Sequence, residues 1–272
     1  MKLYDLFRTE KPIIGLLHLQ PLPGDPGYDK EGGLKKIINA AKEELTALQD
    51  GGVDGVLIAN EFSFPYQYTI PHVITSTMAA VITELKKEVL RIPFGVNVIS
   101  NPMATIELAV AVEADFIRNV MTGLYVGELG IRQTDIAAVS RRLVELNRPD
   151  LVMFYMSNAE ADAPLVDRPN STVIRSMIFK CHPDAICVSG ISAGSETDMQ
   201  LLIDTKKNAG EVPVFCNTGF CKAQAEKILD ICDGAFVGTA FKKDGKFENK
   251  VDPKEVEELM NIVFEYRKKH EA

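Results

Sequence analysis

The sequence predicts an α/β protein in which eight parallel strands alternate with helices and close into one (β/α)8 barrel, a TIM barrel, over residues 1–272. Continuous apolar runs indicate strands that are buried on both faces, and segments with helical periodicity lie between them. The first run starts at position 12 and the eighth at position 234, so the average step is about 32 residues, the length of one βαβ unit. No glycine-rich dinucleotide fingerprint follows a run, which disfavours the doubly wound open sheet, the alternative with the same alternation.

The strand and helix candidates follow one another in a regular order. The predicted strands are residues 12–19, 53–59, 94–99, 116–120, 151–156, 185–189, 213–217 and 234–237. Apolar residues recur at helical spacing from position 34 to 48 and from position 256 to 266. Asn101 before Pro102 is typical of a helix start, because the side-chain oxygen caps free N–H groups and proline fits the first turn.

The composition excludes several classes of protein. With 46% hydrophobic and 25% charged residues, the chain has an ordinary globular composition and is not disordered in bulk. Its formal net charge of −8, without a long basic run, disfavours DNA or RNA as a partner. No apolar run reaches the roughly 18 residues of a membrane span, and the N-terminal segment lacks a signal-peptide core, so we expect a cytoplasmic protein. The sequence allows a homo-oligomer without setting the number of copies.

We expect neither a metal nor another cofactor. The five cysteines are odd in number, form no paired framework and lie mostly in apolar runs, where reduced thiols act as small hydrophobic groups. No set of histidine, cysteine and carboxylate residues has the spacing of metal ligands.

Polar residues or glycine follow nearly every predicted strand, and in a barrel the active site lies at these carboxyl ends. His18 suits acid/base chemistry because the ordinary pKa of imidazole lies near neutrality, and Glu61 is the best carboxylate for taking a proton next to a carbonyl. Asn97 interrupts an apolar run, so it either bonds a neighbouring loop or polarises a substrate carbonyl. Arg118, whose charge is costly to bury alone, is the fourth catalytic candidate.

These candidates also have structural interpretations. His18 suits a buried, hydrogen-bonded imidazole, and Glu61 suits a salt bridge or an exposed loop charge. For Arg118, an ion pair with Glu61 or Glu113 is an equal alternative to substrate contact. Glu160, in the polar loop after the fifth strand, is expected to be solvated rather than catalytic.

The last two barrel units indicate a phosphate site. Gly219 follows the seventh strand, and Gly238 with Thr239 follows the eighth, where barrels commonly bind phosphate. Glycine lets an oxyanion approach backbone N–H groups closely, and the threonine adds a hydroxyl. Gly194, after the sixth strand, is predicted to complete this anion site. The alternative is that these glycines only turn the chain after each strand.

Long stretches around five of the predicted strands resemble one family. They read PIIGLLHLQPLPGDPGYD, GGVDGVLIANEFSFPY, IPFGVNVISNP, FIRNVMTGLY and DGAFVGTAFKKDGKF. The chain is similar over nearly its whole length to the BtpA family, and most similar to its SgcQ branch. The resemblance implies a TIM barrel akin to the phosphate-binding barrels, with one branch linked to photosystem I biogenesis and the other to carbohydrate utilisation. At Asn60 and Glu61 the sequence departs from the photosystem-linked pattern, which favours the SgcQ branch.

The sequence is compatible with three hypotheses for the function, which describe different classes of protein. The first is an enzyme that acts on a small phosphorylated metabolite, a sugar phosphate, by acid/base proton transfer, as isomerases, epimerases and lyases do. The second is a non-catalytic binding or assembly factor, as in the photosystem-linked branch, which requires an exposed apolar patch more than a polar pocket. Hydrolysis at phosphate is a third hypothesis and requires a metal-binding carboxylate cluster.

Overall fold

The computed structural model describes residues 2–190 and 198–270, and within them eight parallel strands close into a barrel. The strands in chain order are β1 (Ile13–His18), β2 (Gly55–Ala59), β3 (Phe94–Asn97), β4 (Phe116–Asn119), β5 (Leu124–Gly127), β6 (Gly130–Gln133), β7 (Val152–Met156), β8 (Ala163–Pro164), β9 (Ala185–Val188), β10 (Val214–Cys216) and β11 (Gly234–Val237). All except β5, β6 and β8 belong to the barrel, which closes where β11 pairs with β1. The predicted TIM barrel is confirmed, whereas the assignment of residues 1–272 to a single domain stays a prediction.

Helices surround the barrel strands. They are α1 (Lys2–Phe7), α2 (Gly33–Asp50), α3 (His72–Glu88), α4 (Pro102–Val112), α5 (Ile136–Glu145), α6 (Asn170–Cys181), α7 (Met199–Asn208), α8 (Ala225–Ile231) and α9 (Pro253–His270). The two segments with helical periodicity are α2 and α9. At the start of α4, the Asn101 side chain accepts a hydrogen bond from the Ala104 N–H at 2.8 Å, so the predicted cap is confirmed. Within the described ranges, every helix lacks the length or the apolar character that a membrane crossing requires.

Aromatic rings fill the barrel interior below the carboxyl ends of the strands. Phe116, Phe154, Phe215 and Phe236 point inward from four strands, and Phe7 of α1 packs against Phe116 from the opposite end. The centroids of the six contacting ring pairs lie 5.0 to 6.5 Å apart, and four of the pairs meet edge to face. Because these rings leave little room for water, the space for a ligand lies above them.

Aspartates tie the starts of neighbouring barrel strands together. Asp54, Asp115, Asp184 and Asp233 each precede a strand and accept a hydrogen bond, 2.7 to 2.9 Å long, from the backbone N–H of Ile13, Phe94, Met153 and Val214, respectively. Each bond crosses from one strand to the strand before it in the barrel, so the set helps to hold the register at the amino end.

A second sheet, which the sequence did not predict, lies beside the barrel mouth. In the described residues its three antiparallel strands have the order β6-β5-β8. Arg132 of β6 anchors it, because the guanidinium pairs with Asp162 at 3.0 Å and donates a hydrogen bond to the Ser100 hydroxyl at 3.1 Å. The turn between β5 and β6 is thereby held over the carboxyl ends of the barrel strands.

Candidate active site

A cavity of 230 Å³, the first cavity, lies at the carboxyl ends of the barrel strands. Its walls include His18, Glu61, Arg118, Glu160, Asn217, Thr218, Gly219, Gly238 and Thr239, and its floor includes Leu16 and Phe236. The fold therefore gathers three of the four predicted catalytic residues around one space with three of the four predicted phosphate-binding residues. Gly194, the fourth of these, lies outside the described residues.

The imidazole of His18 is a neutral group at the end of β1. Only 6% of the residue is exposed, and among the described residues neither ring nitrogen has a hydrogen-bond partner. Burial holds the pKa of His18 well below its usual range, and the charges of Lys242 and Arg118 lower it further. The structural interpretation of a hydrogen-bonded core histidine does not fit these contacts. A neutral imidazole at this position can give one N–H and accept one proton.

The depressed pKa makes a prediction for stability. Below pH 6.5 the unfolded chain binds a proton at His18 that the folded protein does not bind, so stability is complete above that pH and falls as the pH decreases. The loss approaches about 1.4 kcal/mol for each pH unit below 6.5. We expect His18→Gln to remove this part of the loss in urea unfolding between pH 6.5 and 5. His72→Gln, which removes an exposed imidazole, is the control; parallel losses in His18→Gln and the wild type would contradict the assignment.

Glu61 lies just after β2 and lines the first cavity with its carboxylate. The carboxylate Oε1 accepts a hydrogen bond from the Tyr66 hydroxyl at 3.1 Å. Burial raises the pKa of Glu61, and the neighbouring charge of Glu160 raises it further, while Arg118 and the Tyr66 hydroxyl lower it. A carboxylate with a raised pKa is a stronger base than an exposed one, which suits proton abstraction.

Arg118 extends from β4 beneath the cavity and is only 5% exposed. One of its terminal nitrogens donates to Asn217 Oδ1 at 2.7 Å, the guanidinium stacks 5.1 Å from the ring of Phe236, and its Nε has no partner in the described residues. The ion-pair alternative is wrong, because no described carboxylate oxygen lies within 4.0 Å and Glu113 instead pairs with Lys86. A buried cation with so few partners suits an anionic or polarised ligand group.

Glu160 belongs to the site, and the expectation that it is a solvated loop charge is wrong. Its Oε1 accepts hydrogen bonds from the Thr218 hydroxyl at 2.5 Å and from the Asn217 side-chain amide at 3.3 Å. The same amide donates to Ser189 Oγ at 2.7 Å. Asn217 therefore links Glu160, Arg118 and Ser189 in one network that spans the cavity.

Another part of the cavity wall contains the glycine turns after β10 and β11. Gly219 has φ +88°, a left-handed conformation that glycine adopts without strain. A Cβ at Gly238 would lie 3.1 Å from Leu16 and 3.3 Å from the His18 ring, so this turn passes against the imidazole. Thr239 begins a short 3-10 turn, Thr239–Phe241, that continues the wall. These contacts leave little room for a side chain at 238 even without a ligand, and phosphate binding at 219, 238 and 239 stays a prediction.

Lys242 is buried behind the cavity wall, where it contacts Phe62 and Phe247. It is 1% exposed, its Nζ donates to the Phe247 carbonyl oxygen at 2.5 Å, and it lies 4.7 and 5.0 Å from the rings of Phe62 and Phe247. Both rings pack against His18, with centroids 6.1 and 5.6 Å from the imidazole. Burial lowers the pKa of Lys242, and the neighbouring carboxylate charges of Glu44 and Glu61 act against that effect.

Asn97, the remaining catalytic candidate, faces a second cavity of 460 Å³ next to the first. Its Oδ1 accepts a hydrogen bond from the Asn119 side-chain amide at 2.9 Å. Glu61, Arg118 and Glu160 line both cavities. The structure thus places Asn97 apart from His18, on the other side of these shared charges.

Glu160, Tyr66 and Asn217 are the residues that sequence reasoning missed or undervalued. Asn217 directly follows β10, and its place at the carboxyl end of a barrel strand was the available signal. Tyr66 and Glu160 lie in loops whose sequence does not reveal where they fold back.

Within the described residues, no group of three His, Cys, Asp or Glu side chains forms a candidate metal site, and the expectation of metal independence stays a prediction.

These features define a TIM-barrel protein with a charged, partly buried cavity at the strand ends where barrel enzymes hold their active sites. The profile of the BtpA family matches residues 9–265, and the chain belongs to this family. It is 39% identical over 266 residues to the sgc region protein SgcQ of Escherichia coli (strain K12), covering 98% of this chain and 99% of that protein.

A second relative shares the family, and a solved structure shares the fold. The photosystem I biogenesis protein BtpA of Synechocystis (strain PCC 6803) is 30% identical over 269 residues, covering 97% of this chain and 92% of that protein. Among solved structures, N-(5'-phosphoribosyl)anthranilate isomerase from Pyrococcus furiosus matches with a TM-score of 0.56 at 12% identity, covering 94% of this chain and 99% of that one. At this identity the match shows the fold alone, and it agrees with the predicted TIM barrel.

Proposed function

We propose that this BtpA-family barrel is a cytoplasmic enzyme of carbohydrate utilisation that acts on a small phosphorylated metabolite, a sugar phosphate, by acid/base proton transfer. The reaction is of the isomerase, epimerase or lyase type. One observation supports the proposal most strongly: the first cavity brings neutral His18, Glu61 with its raised pKa and buried Arg118 to the same space as the glycine turns at 219 and 238. A purely structural role does not require this combination of costly buried groups.

The chemistry follows from the protonation states. The Glu61 carboxylate takes the proton from a carbon next to the substrate carbonyl, and the electron pair of that C–H bond moves to the carbonyl oxygen. Neutral His18 donates an N–H hydrogen bond to this oxygen as negative charge builds on it, and Arg118 stabilises the same charge. Return of the proton to the former carbonyl carbon completes an isomerisation, together with movement of the proton of the adjacent hydroxyl to the former carbonyl oxygen. In an epimerisation, a proton from water reaches the opposite face of the same carbon, and Glu61 later releases the proton that it took to water.

The binding of phosphate is tested by thermal unfolding. We expect sugar phosphates to raise the Tm, while the same sugars without phosphate do not, because a ligand that binds only the folded state adds RT ln(1 + [L]/Kd). At a ligand concentration of 100 times Kd this is about 2.7 kcal/mol. Gly238→Asp is expected to abolish the shift, since its carboxylate repels phosphate and its Cβ meets His18 at the cavity wall.

Gly210→Asp is the matched control, because it adds the same charge where a Cβ would meet nothing within 4 Å. The left-handed backbone at φ +60° strains this substitution, so each variant is compared with and without ligand and only the ligand-induced shift is read. Gly210→Asp should leave the ligand-induced shift intact. If a broad panel of sugar phosphates gives no shift, or if Gly238→Asp responds as the wild type does, the phosphate site is wrong. The assembly-factor hypothesis then becomes the better account.

A further inference from the structure

We propose that the substrate is a sugar phosphate that carries a second, uncharged ring at the end opposite the phosphate, and that this ring occupies the second cavity. The inference rests on the proposed function and extends it to the other end of the ligand. Glu61, Arg118 and Glu160 line both cavities, so the two spaces meet at the charged groups. When one ligand fills both cavities, its reacting carbon lies at these charged groups, between the phosphate and the ring.

The volumes of the two cavities favour a long ligand. The first cavity has 230 Å³ and the second has 460 Å³. A simple sugar phosphate held at the glycine turns occupies the smaller space and leaves the larger one to water. Ligand sites commonly have about 300–1,000 Å³ and bury most of the ligand surface, which the two cavities together provide and the first alone does not.

The walls of the second cavity offer a ring an apolar face. Val120, Leu129 and Met156 contribute aliphatic and thioether surface, and Tyr66 contributes an aromatic ring whose hydroxyl is already engaged with Glu61. Val120 and Met156 are nearly fully buried, at 2% and 8% exposure, so this surface is set into the barrel rather than spread over its outside. Flat apolar groups gain both burial and ring contacts against such walls.

Away from the three charged residues that line both cavities, the polar groups of the second cavity favour an uncharged ring. Arg132 pairs with Asp162 at 3.0 Å, so the two opposite charges largely cancel toward a ligand. Glu128 is exposed at the rim and repels an anion. The Asn97 amide donates no hydrogen bond to the described residues, which leaves a donor for one neutral acceptor on the ring.

The test compares two probes by titration calorimetry: a hexose 6-phosphate and the p-nitrophenyl glycoside of the same hexose 6-phosphate, in both anomers. We expect one anomer of the aryl glycoside phosphate to bind about tenfold more tightly, as ring burial and ring contacts provide. Leu129→Trp narrows the second cavity and should bring the ratio of the two affinities close to one, with the affinity for hexose 6-phosphate kept within about twofold of the wild type.

Ile131→Trp is the matched control. Ile131 lies two residues further on the same turn and strand, is 64% exposed and does not line the cavity, so the ratio should stay at its wild-type value. Equal affinities for the two probes in the wild type, or an unchanged ratio in Leu129→Trp, would overturn the inference and leave the proposed function standing. Failure of both phosphates to bind would overturn the proposed function and this inference with it.

Discussion

Glu61→Gln is expected to reduce turnover of a bound sugar phosphate by about 10²–10⁴-fold, the usual contribution of a positioned general base. Glutamine keeps the size of the side chain and its hydrogen bond from Tyr66, but it cannot take a proton at neutral pH. The Kd of the ligand should change only a few-fold, because the proposed phosphate contacts at Gly219, Gly238 and Thr239 are unaltered. Turnover and Kd are measured with a ligand that raises the Tm of the wild type.

Glu31→Gln, the same substitution at an exposed loop position, should retain full turnover. Tyr66→Phe supplies an independent readout, since loss of the hydroxyl removes a hydrogen bond that lowers the pKa of Glu61. The base is active when deprotonated, so the rate falls on the acid side, and in Tyr66→Phe this fall should begin at a higher pH. Wild-type turnover in Glu61→Gln would exclude Glu61 as the base. If the rate of Tyr66→Phe began to fall at the same pH as that of the wild type, Tyr66 would not influence the pKa of Glu61.

Arg267→Met is expected to lower the free energy of unfolding by about 3–5 kcal/mol, the range for breaking a buried ion pair on one side. Arg267 of α9 contacts both carboxylate oxygens of Asp54, at 2.6 and 3.2 Å, and donates to the Lys11 carbonyl oxygen at 2.9 Å. Both side chains of the pair are only 12% exposed. Without the guanidinium, the Asp54 charge stays buried at the start of β2, where it also holds the Ile13 N–H.

Arg91→Met is the control, because it breaks a pair with Asp50 at 2.8 Å whose side chains are both 62% exposed. Exposed pairs contribute little, so the loss there should be below about 1 kcal/mol. Urea unfolding of both variants and the wild type measures the difference. Similar losses in the two variants would show that the contact between α9 and the amino end of the barrel does not stabilise the fold as argued.

The convergence of His18, Glu61 and Arg118 could be predicted because each lies near the carboxyl end of an apolar run or directly after it. In a parallel barrel every strand ends at the same edge, so the spacing along the chain is enough to place these residues together. Glu160 could not be placed in the same way. Its loop runs between β7 and the second sheet, and only the hydrogen bonds from Thr218 and Asn217, nearly 60 residues away, bring its carboxylate into the cavity.

The same limit applies to charge states and to the second cavity. The low pKa of His18 results from burial and from the charges of Lys242 and Arg118. Neither of these two residues is close to His18 in the sequence. The β5–β6 turn lines the second cavity, and the ion pair between Arg132 and Asp162 holds this turn in place.

The sequence by itself determined the alternation of buried strands with helices and the edge at which polar residues gather, because burial periodicity is a local property of the chain. Closure into a barrel depends on the pairing of β11 with β1, which no local pattern specifies. The tertiary structure decided which polar groups share a cavity, which of them pair and which protons they hold. Those properties depend on desolvation and distance between residues that meet only after folding.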